Sequence, residues 1–275
     1  MLRSSNPILS KQDAFTPAAP QYGQGQYGQG QYREALSGYQ QVPPPAPVQA
    51  PEGRMTFDDV VTKTAVTMAV LILSAAAAWF ALPDALMFPV LIVSGLVGFL
   101  VVLVVAFRRT VNPALVLLYA AIEGVFIGMI SKYFEALYDG IVAQAVLGTF
   151  AAAGVTLAAY KFFNIRVTPK FQKIVIISTI SFAVAMLANF VLSLLGVNLG
   201  LRDGGTGPVS ILAVGVALLG AVLAVLNLVL DFDYIEKGVA MGAPARESWR
   251  GAFGLTVTMV WLYIEILRLL SYLRR

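Results

Sequence analysis

Three carboxylates stand in stretches of sequence that otherwise suit hydrocarbon. Asp231 closes a charge-free run, ILAVGVALLGAVLAVLNLVL, from Ile211 to Leu230. Glu265 lies inside the next apolar run, TVTMVWLYIEILRLL, and Glu123 lies in LLYAAIEGVFIGMIS. An ionised carboxylate at bilayer depth costs roughly 3 kcal/mol on insertion scales. A residue that costly usually faces a bundle interior or a water-filled cavity, where it can take up a proton or a cation.

The neighbours of each acid sharpen or blunt that reading. Asn227 precedes Asp231 by four positions, so it shares a helix face and can donate to the carboxylate. Spacing alone is equally satisfied by an ordinary interfacial acid that opens a loop with Asp233 and Glu236, and for those two the interfacial reading is the better one. Glu265 falls roughly 14 residues into its segment, or about 21 Å along a helix. Arg268, three residues on, is the partner that would make Glu265 purely structural, whereas Thr258, on the same face, would line a path with it. Glu123 has no cation within one turn, and its depth would let it share a cavity with Glu265. Gly124 and Gly128 beside it form a GxxxG pattern, which favours close helix packing.

Arg108 and Arg109 end the second apolar segment on the same membrane side as Asp231. A salt bridge from Arg108 to Asp231 would pin two helices and would last only while the acid is ionised, a pH-sensitive latch. Two arginines snorkelling to the interface fit the same residues equally well.

Composition decides what these groups serve. Of 275 residues, 58% are hydrophobic and 12% charged, with mean hydropathy +0.77. A soluble domain carries about twice that charged share, so the chain reads as a polytopic membrane protein. It has no cysteine and no histidine. Disulfides, iron–sulfur clusters, thiolate or imidazole metal sites and Ser–His catalysis are therefore excluded. An intramembrane aspartyl protease would want a GxGD-like segment opposite Asp231, and none is found. The expectation is a non-enzyme without a cofactor. The net charge of +4 fits loop bias better than nucleic-acid binding.

Residues 1–55 are compositionally separate, with QYGQGQYGQGQY followed by VPPPAPVQAP. Low hydrophobicity and Gly, Gln and Pro enrichment predict a disordered tail, with residues 56–275 as the membrane domain. Seven apolar segments follow, at about 64–82, 89–107, 113–131, 141–160, 174–195, 210–230 and 252–271. Each is near the roughly 20 residues a helix needs to cross hydrocarbon, and open strands would leave backbone groups unsatisfied there. The expected fold class is all-α, with short connections making consecutive helices antiparallel neighbours. One side collects eleven basic residues, from Arg54 and Lys63 to Arg246 and Arg250; the other collects Lys132, Arg202, Arg268, Arg274 and Arg275. That bias predicts a cytoplasmic N-terminus, although the basic C-terminal end runs against it, and the expected location is a plasma membrane.

The C-terminal third, LDFDYIEKG and then WRGAFGLTVTMVWLYIEILRLLS, resembles the Bax inhibitor-1 family, a likeness covering roughly residues 55–275. Bacterial relatives carry an acid ending the sixth helix, matched by Asp231, and an arginine ending the second, matched by Arg108. Their last helix carries a second Asp that completes a pH-sensing pair; Thr258 stands at that position here, and Glu265 is the candidate replacement at another depth. The resemblance implies seven transmembrane helices with the last one central. It also implies a pH-regulated calcium leak, with calcium or protons at Asp231 or Glu265, or a stress-protective role restraining a membrane-bound quality-control protease. The competing function is a non-conducting regulator that binds other membrane proteins.

Overall fold

Helices begin in this chain where a side chain can take over the first free backbone amides. Thr56, Asn112, Thr168 and Ser210 each accept a bond from an amide two or three residues on. Pro113 and Pro169 occupy the first turn, where a missing N–H costs nothing. A computed structural model describes residues 53–108, 110–197, 199–202 and 208–275. Among them run α1 (Phe57–Ala81), α2 (Met87–Phe107), α3 (Pro113–Leu137), α4 (Ile141–Phe162), α5 (Pro169–Leu194), α6 (Ile211–Ala240) and α7 (Glu247–Leu273), with a 3₁₀ turn at Asp84–Leu86. The fold is all-α, and all seven helices are long and apolar enough to span a membrane.

Several elements outrun their expected bounds. α6 continues ten residues past Leu230, so Asp231, Asp233 and Glu236 lie within the helix rather than opening a loop. Asp233 is held by Lys237 at 2.6 Å one turn on, and Glu236 accepts from the Tyr160 hydroxyl, so local partners carry the helix beyond its apolar stretch. The stretch before α1 has partners as well. Residues 1–52 lie outside the described residues, but residues 53–55 are paired. The Met55 amide donates to the Ala243 carbonyl at 2.7 Å, the Ala245 amide donates to the Gly53 carbonyl at 2.6 Å, and Met55 is 2% exposed. This short clamp ties the start of α1 to the α6–α7 turn, where Lys63 also donates to the Ala245 carbonyl.

Packing does not follow chain order. α7 packs closely on α1, α3, α4 and α6; α2 rests on α3, and α5 on α6. The last helix is thus central to four of the other six, and α2 reaches it through side chains near its end. α1 pairs with α3 rather than with its sequence neighbour α2. The reason is Gly124 and Gly128, where an added methyl group would collide with the backbone carbonyls of Leu71 and Ala75 in α1. Small residues there let two backbones touch, which is how helices associate where lipid offers no hydrophobic contrast.

Candidate functional site

The three acids are each seated against a glycine of a neighbouring helix. A methyl group added at Gly98 of α2 would fall 2.6 Å from Glu123, one at Gly220 of α6 2.7 Å from Glu265, and one at Gly254 of α7 3.0 Å from Asp231. Glycine there leaves the carboxylate its volume, so each acid occupies space that the partner helix vacates. Sequence reasoning read only the α3 glycines. Gly98, Gly220 and Gly254 carry no local signal, because their spacing matters only against another helix.

Asp231 accepts a 2.7 Å hydrogen bond from the Thr258 hydroxyl, across the α6–α7 seam. It also lines a cavity of about 200 Å³ with Val105 and Ala106 of α2, Tyr234, Arg250 and Phe253. Thr258 therefore belongs with Asp231, not on a path with Glu265. The expected Arg108–Asp231 latch is not formed. Arg108 caps the end of α2 with its side chain exposed, and its carbonyl accepts a long 3.5 Å bond from Arg250. Since α2 rests on α3, Arg108 stays at the rim, and the guanidinium that shares the Asp231 cavity is that of Arg250, itself bonded to Glu247 at 2.7 Å. Arg109 lies outside the described residues. Asn227 is also redirected: its amide donates to the Thr179 hydroxyl of α5 at 2.7 Å and to the Leu223 carbonyl, joining α5 to α6 instead of supporting Asp231.

Glu265 is 1% exposed and bound by an arginine from outside its own helix. Arg202, in the segment between α5 and α6, donates to both carboxylate oxygens, at 2.6 and 3.2 Å, and Trp261 adds a 3.3 Å bond. The guanidinium lies over the Phe182 ring, with Nε 3.0 Å from the Met186 sulfur. This two-pronged grip occupies the carboxylate and balances its charge, so Glu265 has a counter-ion from another element. Arg268, the partner expected from spacing, does not take this role. A helix neighbour three residues away competes poorly with a fork arriving from another element at full geometry.

Glu123, 9% exposed, makes no hydrogen bond to a described side chain or backbone group and faces α2. Glu265 faces α5 and α6, so the contacts of the two acids belong to different helix pairs. Tyr119, one turn before Glu123, packs edge-on against Phe253 at 5.1 Å, and Phe253 lines the Asp231 cavity. Phe253 and Tyr119 thus lie between the Asp231 cavity and the turn of α3 that carries Glu123. Among the described residues no group of three or more acids is gathered that could hold a metal ion. A larger cavity, about 310 Å³, opens among α1, α3, α4 and α7 and is almost wholly apolar; it contains none of the carboxylates.

A family model described as Bax inhibitor 1 like matches residues 6–275, extending through most of the tail that the residue-level resemblance leaves out. No curated protein matches the chain.

Proposed function

The chain belongs to the Bax inhibitor 1 like family, and on that footing we propose that it is a pH-responsive leak for calcium across a plasma membrane, with its N-terminus cytoplasmic. Asp231 is its inner ion and proton site, and Glu123 is a second station deeper in the bundle. The observation that carries this reading is Asp231 itself: a carboxylate in a spanning helix, bonded to Thr258 and opening onto a cavity. Carboxylate and hydroxyl oxygens are the hard ligands calcium accepts. Too few of them converge here to trap the ion, which suits a leak, where an ion must leave as readily as it enters. Thr258 faces Asp231 at the position the family resemblance gives to a second acid, so a single carboxylate does the work of a pair. Protonating Asp231 removes the charge that draws a cation into the cavity beside Arg250.

The alternative is a non-conducting regulator of another membrane protein, such as a quality-control protease. α5 favours it, since that helix packs on α6, meets α7 at the Phe182–Trp261 ring pair, and leaves Ile177, Ile180 and Val184 exposed for a partner helix. Purified protein in liposomes separates the two. A leak passes calcium with a pH dependence that Asp231→Asn removes and Glu123→Gln weakens. Liposomes that stay tight to calcium across the acidic-to-neutral range would reject conduction and leave the regulator reading.

A further inference from the structure

The end of the bundle opposite Asp231 carries five basic residues, Lys132, Arg202, Arg268, Arg274 and Arg275. Most of them find local partners. Lys132 pairs with Asp84 at 2.7 Å and donates to the Leu82 carbonyl. Arg202 is taken by Glu265. Arg274 donates to the Asp139 carbonyl and to Gln144, and Arg275 donates to the Tyr138 hydroxyl while lying over the Tyr272 ring at 5.2 Å. Arg268 is the exception. Its Nε is buried with no hydrogen-bond partner, and so is the hydroxyl of Tyr272, a residue 7% exposed and one turn further along the same face of α7.

The charged and titratable neighbours of Arg268 are Arg202, Glu265 and Tyr272. Two guanidinium groups thus face one carboxylate, and Arg202 already grips that carboxylate. A buried donor without an acceptor is expensive, and a charged one more so. A guanidinium fork with a hydroxyl beside it is also the donor set that phosphate oxygens accept. Arg268 lies five residues before the last helical residue, Leu273, about 7.5 Å along the axis, which puts it near headgroup depth.

We propose that Arg268 and Tyr272, backed by the charge of Arg202, bind a phosphate group at the end of the bundle remote from Asp231. This site is independent of the ion path. A phospholipid headgroup and free inorganic phosphate present the same chemistry, and the test tells them apart. The full chain in detergent is titrated with phosphatidylglycerol, inorganic phosphate or uncharged diacylglycerol. Melting temperature and retained lipid, the latter by native mass spectrometry, are recorded. Phosphatidylglycerol should raise the melting temperature and remain bound, while diacylglycerol does neither. Arg268→Gln should weaken that binding about tenfold or more, and Tyr272→Phe severalfold. Arg268→Lys should restore part of the loss, because the charge returns without the fork. An equal rise with inorganic phosphate would assign the site to the free anion. Tyr272→Phe removes only a hydroxyl, so it decides the matter even if Arg268→Gln folds poorly. No stabilisation by either phosphate source, or binding unchanged in both variants, would overturn the proposal.

Discussion

At Glu265 the residue scale reverses the simplest expectation about a buried acid. Neutralising a lone buried carboxylate relieves a cost, and stability is kept or rises. Here Glu265→Gln would strand Arg202 in apolar surroundings, with Phe182 and Met186 as its remaining contacts. The expected result is a loss of about 3–5 kcal/mol, read as a lower melting temperature, with little change in ion flux. Replacing both partners by apolar residues (Arg202→Met with Glu265→Leu) should recover most of that loss. Recovery failing while each single variant is mild would show that the pair is not the main interaction. Gly220→Ala is the steric counterpart. Its methyl group would lie 2.7 Å from the Glu265 carboxyl carbon and 2.9 Å from the Phe182 ring, so about 1–3 kcal/mol of overpacking strain is expected in thermal unfolding.

Between elements, the tightest constraint is the α1–α3 seam. Gly124→Val must push α1 away, because the obstacle at Gly124 is the Leu71 carbonyl rather than a flexible side chain. A fall in melting temperature larger than that of Gly95→Val, which meets only the Phe126 ring, is expected. The clamp before α1 sets the boundary for truncation. A chain starting at Gly53 should melt like the full chain. One starting at Phe57 loses the Met55 and Gly53 backbone bonds, buried Met55 and the Thr56 cap, and should melt lower. Equal melting of the two truncated chains would mean the clamp contributes nothing.

For the molecule as a whole, the outstanding quantity is orientation, and the composition makes it accessible. With no native cysteine, a single introduced one reports its side without background. A cysteine replacing Lys161 or Arg166 should react with an impermeant reagent only from the cytoplasmic face, and one replacing Asp84 only from the opposite face. Inverted labelling would put the Asp231 cavity outside and reverse the direction in which acid acts on the leak.

The sequence by itself determined the class of molecule and the number of helices, because bilayer length and backbone satisfaction are local demands. It marked Asp231, Glu123 and Glu265 as the residues needing explanation, since a carboxylate in an apolar run is conspicuous without any structure. It left undecided which group answers each acid. Arg202 is 63 positions from Glu265 and Thr258 is 27 from Asp231. Partners that distant are chosen by helix packing, so Arg268, Arg108 and Asn227, the candidates that spacing or shared membrane side suggested, are not the ones that bind. The glycines that seat the acids are silent for the same reason. A missing side chain has meaning only once another helix fills the space, and which helices meet is settled by backbone approach at Gly124 and Gly128 rather than by order along the chain.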